Sequence, residues 1–188
     1  QFVQKQHALA GAAGTVIYPS RFMLVCAMNP CRCGWYGHPS GRCTCSESQV
    51  EQYMRRISGP LLDRIDLQIE VQPVNFDELA NRTPGESSEA IRRRVVQARA
   101  IQSMRFKDSP GIHCNAQMTT SMVHQYAEPD AEGLELLRNA IERMNMSARA
   151  YDRILKVART IADLEGAESI SAAHLAEAIQ FRSSGILK

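Results

Sequence analysis

The sequence predicts an α/β segment followed by an all-α helical bundle. Two patterns indicate the α/β part: residues 22–27 are continuously apolar, as in a strand covered on both faces, and residues 65–71 alternate between apolar and polar side chains. From residue 88 onward, apolar residues recur at helical spacing between serines and glycines that are typical of helix ends. This change of period separates the two parts.

The composition is that of an ordinary globular protein. The 188 residues are 44% hydrophobic and 22% charged, which is enough to bury at least one core. No apolar run approaches the roughly 18 residues that cross a bilayer, and the amino terminus lacks the order of a secretory signal. We therefore expect a cytoplasmic protein that does not contact a membrane. A net charge of +2 neither requires nor excludes nucleic acid.

The α/β part is predicted to contain a hairpin arm, two further strands and one helix. Residues 15–18 are β-prone and form the arm. The strand at 22–27 ends near Asn29, and a polar residue at the carboxyl end of a central parallel strand lies where such sheets bind ligands. A simple Asn-Pro turn is the alternative. A capping box of Ser46 and Gln49 predicts a helix to about residue 57, before the strand at 65–71.

Four of the six cysteines form two Cys-x-Cys pairs, with nine residues between the pairs. They are Cys31, Cys33, Cys43 and Cys45. In a reducing compartment, two close pairs joined by a glycine-rich loop allow four thiolates to converge on one Zn²⁺, which predicts a structural zinc site. A disulfide or unliganded thiols are the alternatives. The loop could also present its arginine and aromatic side chains to unpaired bases. These side chains are Arg32, Trp35, Tyr36 and Arg42.

An arginine-rich helix is predicted from Ser88 to about residue 107. Its apolar stripe contains Ile91, Val95, Ala98, Ile101 and Met104. Its arginines lie mostly off that stripe, at Arg92, Arg93, Arg94, Arg99 and Arg105. A charged face is usually only solvated, but it could also follow the phosphates of DNA, with affinity that falls steeply with salt.

The remaining residues predict a bundle of helices from about 119 to 185. The apolar periodicity places helices near 120–127 and 130–144, one that starts after Ser147 and stops at Gly166, and a last one that starts after Ser171. Residues 73–85 contain Pro and Gly breakers and predict a linker. We therefore expect a core part at 1–74, a linker with the basic helix at 75–118, and a helical lid at 119–188.

Three blocks of sequence resemble one family. They are the residues 27–31 (AMNPC), 57–66 (ISGPLLDRID) and 147–155 (SARAYDRIL), in this order. The chain resembles the magnesium-chelatase-like AAA+ ATPases, and more narrowly the bacterial proteins that include the competence-related branch-migration helicases. The resemblance implies the C-terminal part of an AAA+ core followed by a helical lid.

The resemblance also implies roles for individual residues. Asn29 is expected to be sensor 1, which orients the attacking water. Arg64 is expected to be an arginine finger that reaches the ATP site of a neighbouring protomer. The residues alone favour a different interpretation, in which Arg64 is a surface arginine paired with a nearby aspartate, Asp63 or Asp66.

Two further arginines are assigned to nucleotide by the resemblance. Arg149 is expected to be sensor 2, in contact with phosphate, and Arg153 lies one turn further as the alternative.

The sequence contains no Gly-x-x-x-x-Gly-Lys-Ser/Thr phosphate loop. We therefore expect ATP and Mg²⁺ to be held by an upstream AAA+ half of the same protein, and this chain to be inactive in hydrolysis without it. The resemblance implies a homo-oligomeric ring, a hexamer, that works on DNA. A metal-chelatase role and a non-enzymatic, zinc-dependent DNA-binding module are the alternatives.

Overall fold

The computed structural model describes residues 6–11, 14–19, 22–74, 85–144 and 146–182. Residues 75–84 of the predicted linker and the last predicted bundle residues, from 183 on, lie outside the described residues. The chain divides into two compact units, Gln1–Ser46 and Glu47–Lys188.

The first unit contains a hairpin and the cysteine loop. Strands β1 (Gln6–Gly11) and β2 (Gly14–Pro19) pair antiparallel, with Leu9 opposite Val16. The predicted hairpin arm at 15–18 is therefore confirmed.

The second unit is helical. Helices α1 (Glu47–Met54) and α2 (Gly59–Leu62) come first. They are followed by α3 (Ser88–Arg105), a 3₁₀ turn at Asn115–Gln117, α4 (Thr120–Tyr126), α5 (Ala131–Arg143), α6 (Ala148–Glu165) and α7 (Ala172–Gln180). None of the helices in the described ranges is both long and apolar enough to cross a membrane.

The core of the second unit lies around α6. This helix packs against α3, the 3₁₀ turn, α4 and α7, while α5 packs against α7. The largest completely buried hydrophobic side chains are Leu137, Ile154, Leu155, Leu175 and Val123. Thr119, Asp130 and Ser171 cap their helices with side-chain oxygens, and Gly166 ends α6 at a φ of 73°. The predicted helices of the bundle are confirmed.

The two strands predicted at 22–27 and 65–71 do not form, so the structure shows no parallel α/β sheet in its described residues. Their apolar side chains are exposed: Met23 is 87%, Val25 81% and Val71 86% accessible. A strand needs a neighbouring backbone for its hydrogen bonds, and a continuously apolar strand needs cover on both faces. The described residues supply neither, so this part of the fold prediction was wrong for the chain as it stands.

Helix α3 buries less of its predicted apolar stripe than expected. Its buried residues are Ala98 and Gln102, whereas Ile91 and Met104 remain 42% and 69% accessible. Burial begins only where the C-terminal half of α3 meets α6. The periodicity identified the helix correctly but overstated its contact with the core.

Candidate functional site

The cysteine loop is built from consecutive tight turns. The Gly34 amide donates to the Cys31 carbonyl at 3.1 Å, and the Gly41 amide donates to the His38 carbonyl at 3.2 Å. Both glycines have positive φ, 81° and 64°, which residues with a Cβ adopt at a cost. Gly34 directly follows the first cysteine pair, and Gly41 shortly precedes the second. The loop therefore reverses between them and brings the two pairs together.

The four sulfur atoms of this loop lie within 4.8 Å of one another. Cys31 Sγ is 3.3 Å from Cys33 Sγ and 3.9 Å from Cys43 Sγ, and Cys33 Sγ is 3.6 Å from Cys43 Sγ. A tetrahedral Zn²⁺ with bonds of about 2.3 Å places its sulfur ligands roughly 3.8 Å apart. The four cysteines therefore fit a closed, structural zinc site, and they could bind a metal ion of this kind.

The surroundings of the cluster shift the pKa values of its cysteines in opposite directions. The amides of Trp35 and Thr44 donate to Cys33 and lower its pKa to about 6. The pKa of Cys43 is raised to about 11, because burial and the neighbouring thiols outweigh the amide of Cys45. A metal ion would have to displace the proton of the Cys43 thiol, which makes metal binding dependent on pH.

Aromatic and cationic side chains cover the outside of the cysteine loop. The Trp35 ring contacts His38 edge to face with centroids 4.8 Å apart, and the Arg42 guanidinium lies 5.2 Å from the Trp35 centroid. Trp35 and Tyr36 are 36% and 47% accessible. The loop thus presents two aromatic surfaces beside a positive charge.

Asn29 lies against the first turn of this loop. A Cβ placed on Gly34 would be 3.6 Å from the side-chain nitrogen of Asn29. Asn29 is exposed and follows an irregular segment. The predicted position at the end of a central strand is therefore not found among the described residues, because the strand before it does not form.

Arg64 is exposed directly after α2. Its guanidinium donates to the Pro60 carbonyl at 2.6 Å. Asp66 pairs with Arg153 instead of with Arg64. Arg64 thus forms no ion pair with Asp63 or Asp66 among the described residues, so the surface ion pair that the sequence left open is not found.

Arg149 and Arg153 lie one turn apart on α6 but have different surroundings. Arg149 is exposed in the first turn, and its side chain has no hydrogen bond or ion pair with the residues that the structure describes. Arg153 is half-buried; it donates to the Arg64 carbonyl at 2.8 Å and pairs with Asp66. The structure therefore brings Arg153 and the Arg64 segment together.

Two groups of functional interest were missed in the sequence. Arg182, just after α7, donates to the Ile65 carbonyl at 3.2 Å and to the Asp63 carbonyl at 3.5 Å. Asp163 is completely buried and is bound by Arg105 and Arg159. Asp163 lies off the apolar stripe of α6, so nothing in the sequence pattern indicated its burial, and nothing around Arg182 indicated its partners.

Residues 85–182 match the family described as magnesium chelatase, subunit ChlI C-terminal, and residues 3–79 match magnesium chelatase, subunit ChlI. The chain is 37% identical over 177 residues to the uncharacterized protein YifB of Escherichia coli. It is 38% identical over 176 residues to the competence protein ComM of Haemophilus influenzae. Each alignment covers 93% of this chain but 33% of the relative, so the chain spans about a third of the length of these proteins.

The predicted resemblance is thereby confirmed. The C-terminal match alone extends over more than half of the 188 residues. On this match, the chain belongs to the family described as magnesium chelatase, subunit ChlI C-terminal.

Proposed function

We propose that this chain is the sensor, arginine-finger and lid portion of a ring-forming AAA+ ATPase that couples ATP hydrolysis to the remodelling of DNA. The observation that carries the proposal is Arg64, whose guanidinium is exposed while the backbone around it is held by the helical bundle. A planar cation presented in this way suits the stabilisation of charge on a phosphoryl group in a neighbouring protomer.

The division of labour follows from the residues that are present. ATP and Mg²⁺, held by an upstream half with the phosphate loop, would supply the reacting phosphate and its counter-charge. In this chain, Asn29 would orient the attacking water and Arg64 would reach the neighbouring site of a hexameric ring. Arg149, exposed in the first turn of α6, would contact phosphate as sensor 2. The core at 1–74, the linker and basic helix at 75–118 and the lid at 119–188 would then be separate parts of one motor.

The cysteine loop would act first as a scaffold. Four cysteines on a short loop can replace a hydrophobic core that the loop is too small to build, and bound Zn²⁺ would hold its turns together. DNA as the substrate is supported by the resemblance to the competence-related branch and by the name of ComM as a competence protein. A role in metal insertion is the alternative for the same ATPase.

The experiment is ATP turnover by the full-length protein with and without branched DNA. We expect Arg64→Ala to lower DNA-stimulated turnover by about 10³-fold or more, the size found for arginine fingers. Arg138→Ala is the matched control, since Arg138 is also an exposed arginine, paired with Glu135. Unchanged turnover in the Arg64 variant would remove the finger assignment, and turnover that ignores DNA would favour the chelatase-type role.

A mixing experiment tests whether Arg64 acts between protomers. Arg64→Ala subunits keep a phosphate loop, and subunits with a disabled phosphate loop keep Arg64. Mixed rings would contain some interfaces with both parts intact, so we expect partial recovery of turnover when two inactive variants are combined. No recovery, with mixed rings shown to assemble, would contradict action in a neighbouring site.

A second candidate, a zinc-dependent module that binds single-stranded DNA, is favoured by the Trp35 and Arg42 pair and by exposed Tyr36. Aromatic rings stack on unpaired bases, and arginine adds attraction to phosphate and ring. Trp35 is the only tryptophan of the chain, so its fluorescence reports on this loop directly. Quenching by single-stranded DNA that is lost in Arg42→Ala would support the module; no quenching would exclude it.

A further inference from the structure

Two arginines from the helical bundle hold the segment that carries Arg64. Arg153, on α6, donates to the Arg64 carbonyl at 2.8 Å and also pairs with the carboxylate of Asp66. Arg182, just beyond α7, donates to the carbonyls of Ile65 and Asp63 at 3.2 Å and 3.5 Å. The two guanidinium groups thus bind three consecutive carbonyls and the side chain that follows them.

A backbone hydrogen bond continues this attachment along the chain. The Gln68 amide donates to the Phe181 carbonyl at 2.8 Å, one residue before Arg182. The segment 63–68 is otherwise irregular, with Asp63, Arg64 and Asp66 exposed. Since it forms no strand, its position depends largely on these contacts with the bundle. A guanidinium is suited to this task, because its five N–H groups have a fixed, planar arrangement.

The contacts bind the backbone of Arg64 and leave its guanidinium exposed. Arg153 binds the carbonyl of Arg64, whereas the Arg64 guanidinium is exposed and bound to Pro60, four residues earlier. An arginine that acts in a neighbouring site needs an accurately placed backbone and an accessible guanidinium, which would leave the Pro60 carbonyl when it reaches that site.

We infer that Arg153 and Arg182 are positioning residues for Arg64, and that Arg153 is not the contact to nucleotide. This inference rests on the proposed function of Arg64. Its physical basis is the commitment of Arg153 to Arg64 and Asp66, whereas Arg149, one turn earlier on α6, is exposed. The bundle therefore positions the backbone of Arg64 through two side chains, one near the start of α6 and one just after the end of α7.

The arrangement also connects two of the proposed roles. Arg149 and Arg153 are separated by about 5 to 6 Å along one helix, the rise of a single turn. Helix α6 is continuous over its 18 residues and packs along the core. A displacement of α6 by phosphate at Arg149 would therefore move the carbonyl of Arg64 as well.

Steady-state kinetics of the full-length protein separate positioning from nucleotide contact. We expect Arg153→Ala to lower kcat by about 10- to 100-fold, the loss that follows a displacement of ~1 Å, with the Kd of a fluorescent ATP analogue unchanged. Arg153→Lys, which keeps the charge, should recover part of kcat. In the double variant Arg64→Ala/Arg153→Ala, kcat should equal that of Arg64→Ala alone. A weaker Kd with unchanged kcat, or additive losses in the double variant, would overturn the inference.

The contacts of Arg153 and Arg182 with residues 63–66 are called the clasp below. Hydrogen exchange tests the clasp without reference to catalysis. In the same protein, Arg153→Ala and Arg182→Ala should speed exchange of the amides at 63–68, whereas the exposed control Arg138→Ala should not. Unchanged exchange would overturn the inference whatever the ATPase activity. If Arg64→Ala leaves turnover unchanged while exchange rises in the clasp variants, the finger assignment fails and the clasp remains as a structural contact.

Discussion

Arg105 binds Asp163 with both of its terminal nitrogens, at 2.6 Å and 2.7 Å, although the two residues are 58 positions apart. The carboxylate is completely buried and also accepts hydrogen bonds from Arg159 at 3.1 Å and from Asn115 at 2.7 Å. Arg105 ends α3 and Asp163 lies near the end of α6, so this ion pair joins the basic helix to the core of the bundle. The sequence analysis placed Arg105 off the apolar stripe of the basic helix and did not predict this buried partner.

Asp163→Asn should strongly destabilise the bundle. The amide has nearly the same shape but leaves the buried Arg159 and the largely buried Arg105 without a counter-charge. We expect the free energy of unfolding to fall by about 3 to 5 kcal/mol, as when one partner of a buried pair is removed. Urea unfolding measures it. Glu135→Gln, which affects an exposed pair, should change it by less than about 1 kcal/mol. Equal losses of unfolding free energy in the two variants would mean that the buried ion pair stabilises the bundle no more than the exposed one.

Acid should weaken the bundle through the same carboxylate. Burial opposes ionisation of Asp163, but hydrogen bonds from Arg105 and Asn115 and the charges of Arg105 and Arg159 outweigh it and hold its pKa below the usual range. The unfolded value is about 3.9, so the unfolded chain binds the proton more readily. The stabilisation is therefore present above pH ~4 and is lost as pH falls through the lower, folded pKa.

Unfolding measured between about pH 5 and pH 2 should therefore show a steeper loss of stability in the wild type than in Asp163→Asn, because the variant has no proton to take up at this position. Parallel curves would show that other carboxylates account for the acid sensitivity.

The cysteine cluster should bind one zinc ion per chain. Cys33→Ser should lose it, because three sulfurs leave a closed site incomplete. Cys26→Ser is the matched control, since Cys26 is exposed and outside the cluster. Elemental analysis after native purification gives the ratio of metal to protein. Zinc retained in Cys33→Ser, or absent from the wild type, would count against the site.

Gly133→Ala should destabilise the bundle even though alanine is the better helix former. A Cβ at this position would lie 2.5 Å from Leu175 Cδ1, and Leu175 is completely buried. Overpacking costs about 1 to 3 kcal/mol, whereas the gain in helix propensity is about 0.5 to 1 kcal/mol. We expect a net loss of about 1 kcal/mol in thermal or urea unfolding. The loss should disappear in a Leu175→Ala background, and an increase in stability with Leu175 intact would contradict this account.

The helices and the cysteine cluster were predictable because their causes are local. Side chains cap the starts of α5 and α7, and Gly166 ends α6 by its own backbone freedom. Ser147 precedes α6, as expected, but its side chain makes no capping hydrogen bond. The cysteine pairs lie only 12 residues apart, so the turns between them determine that their sulfurs meet. The resemblance to the family likewise depended on blocks of adjacent residues.

The sequence by itself thus determined the helical bundle and the convergence of the four cysteines. The tertiary structure alone decided that residues 22–27 and 65–71 are not strands in these surroundings, since a strand takes its hydrogen bonds from another part of the chain. It alone also decided that Arg105 binds Asp163 and that Arg153 binds Asp66, 87 residues away. Such pairings depend on how the helices pack, and any of several arginines would have satisfied the same charge.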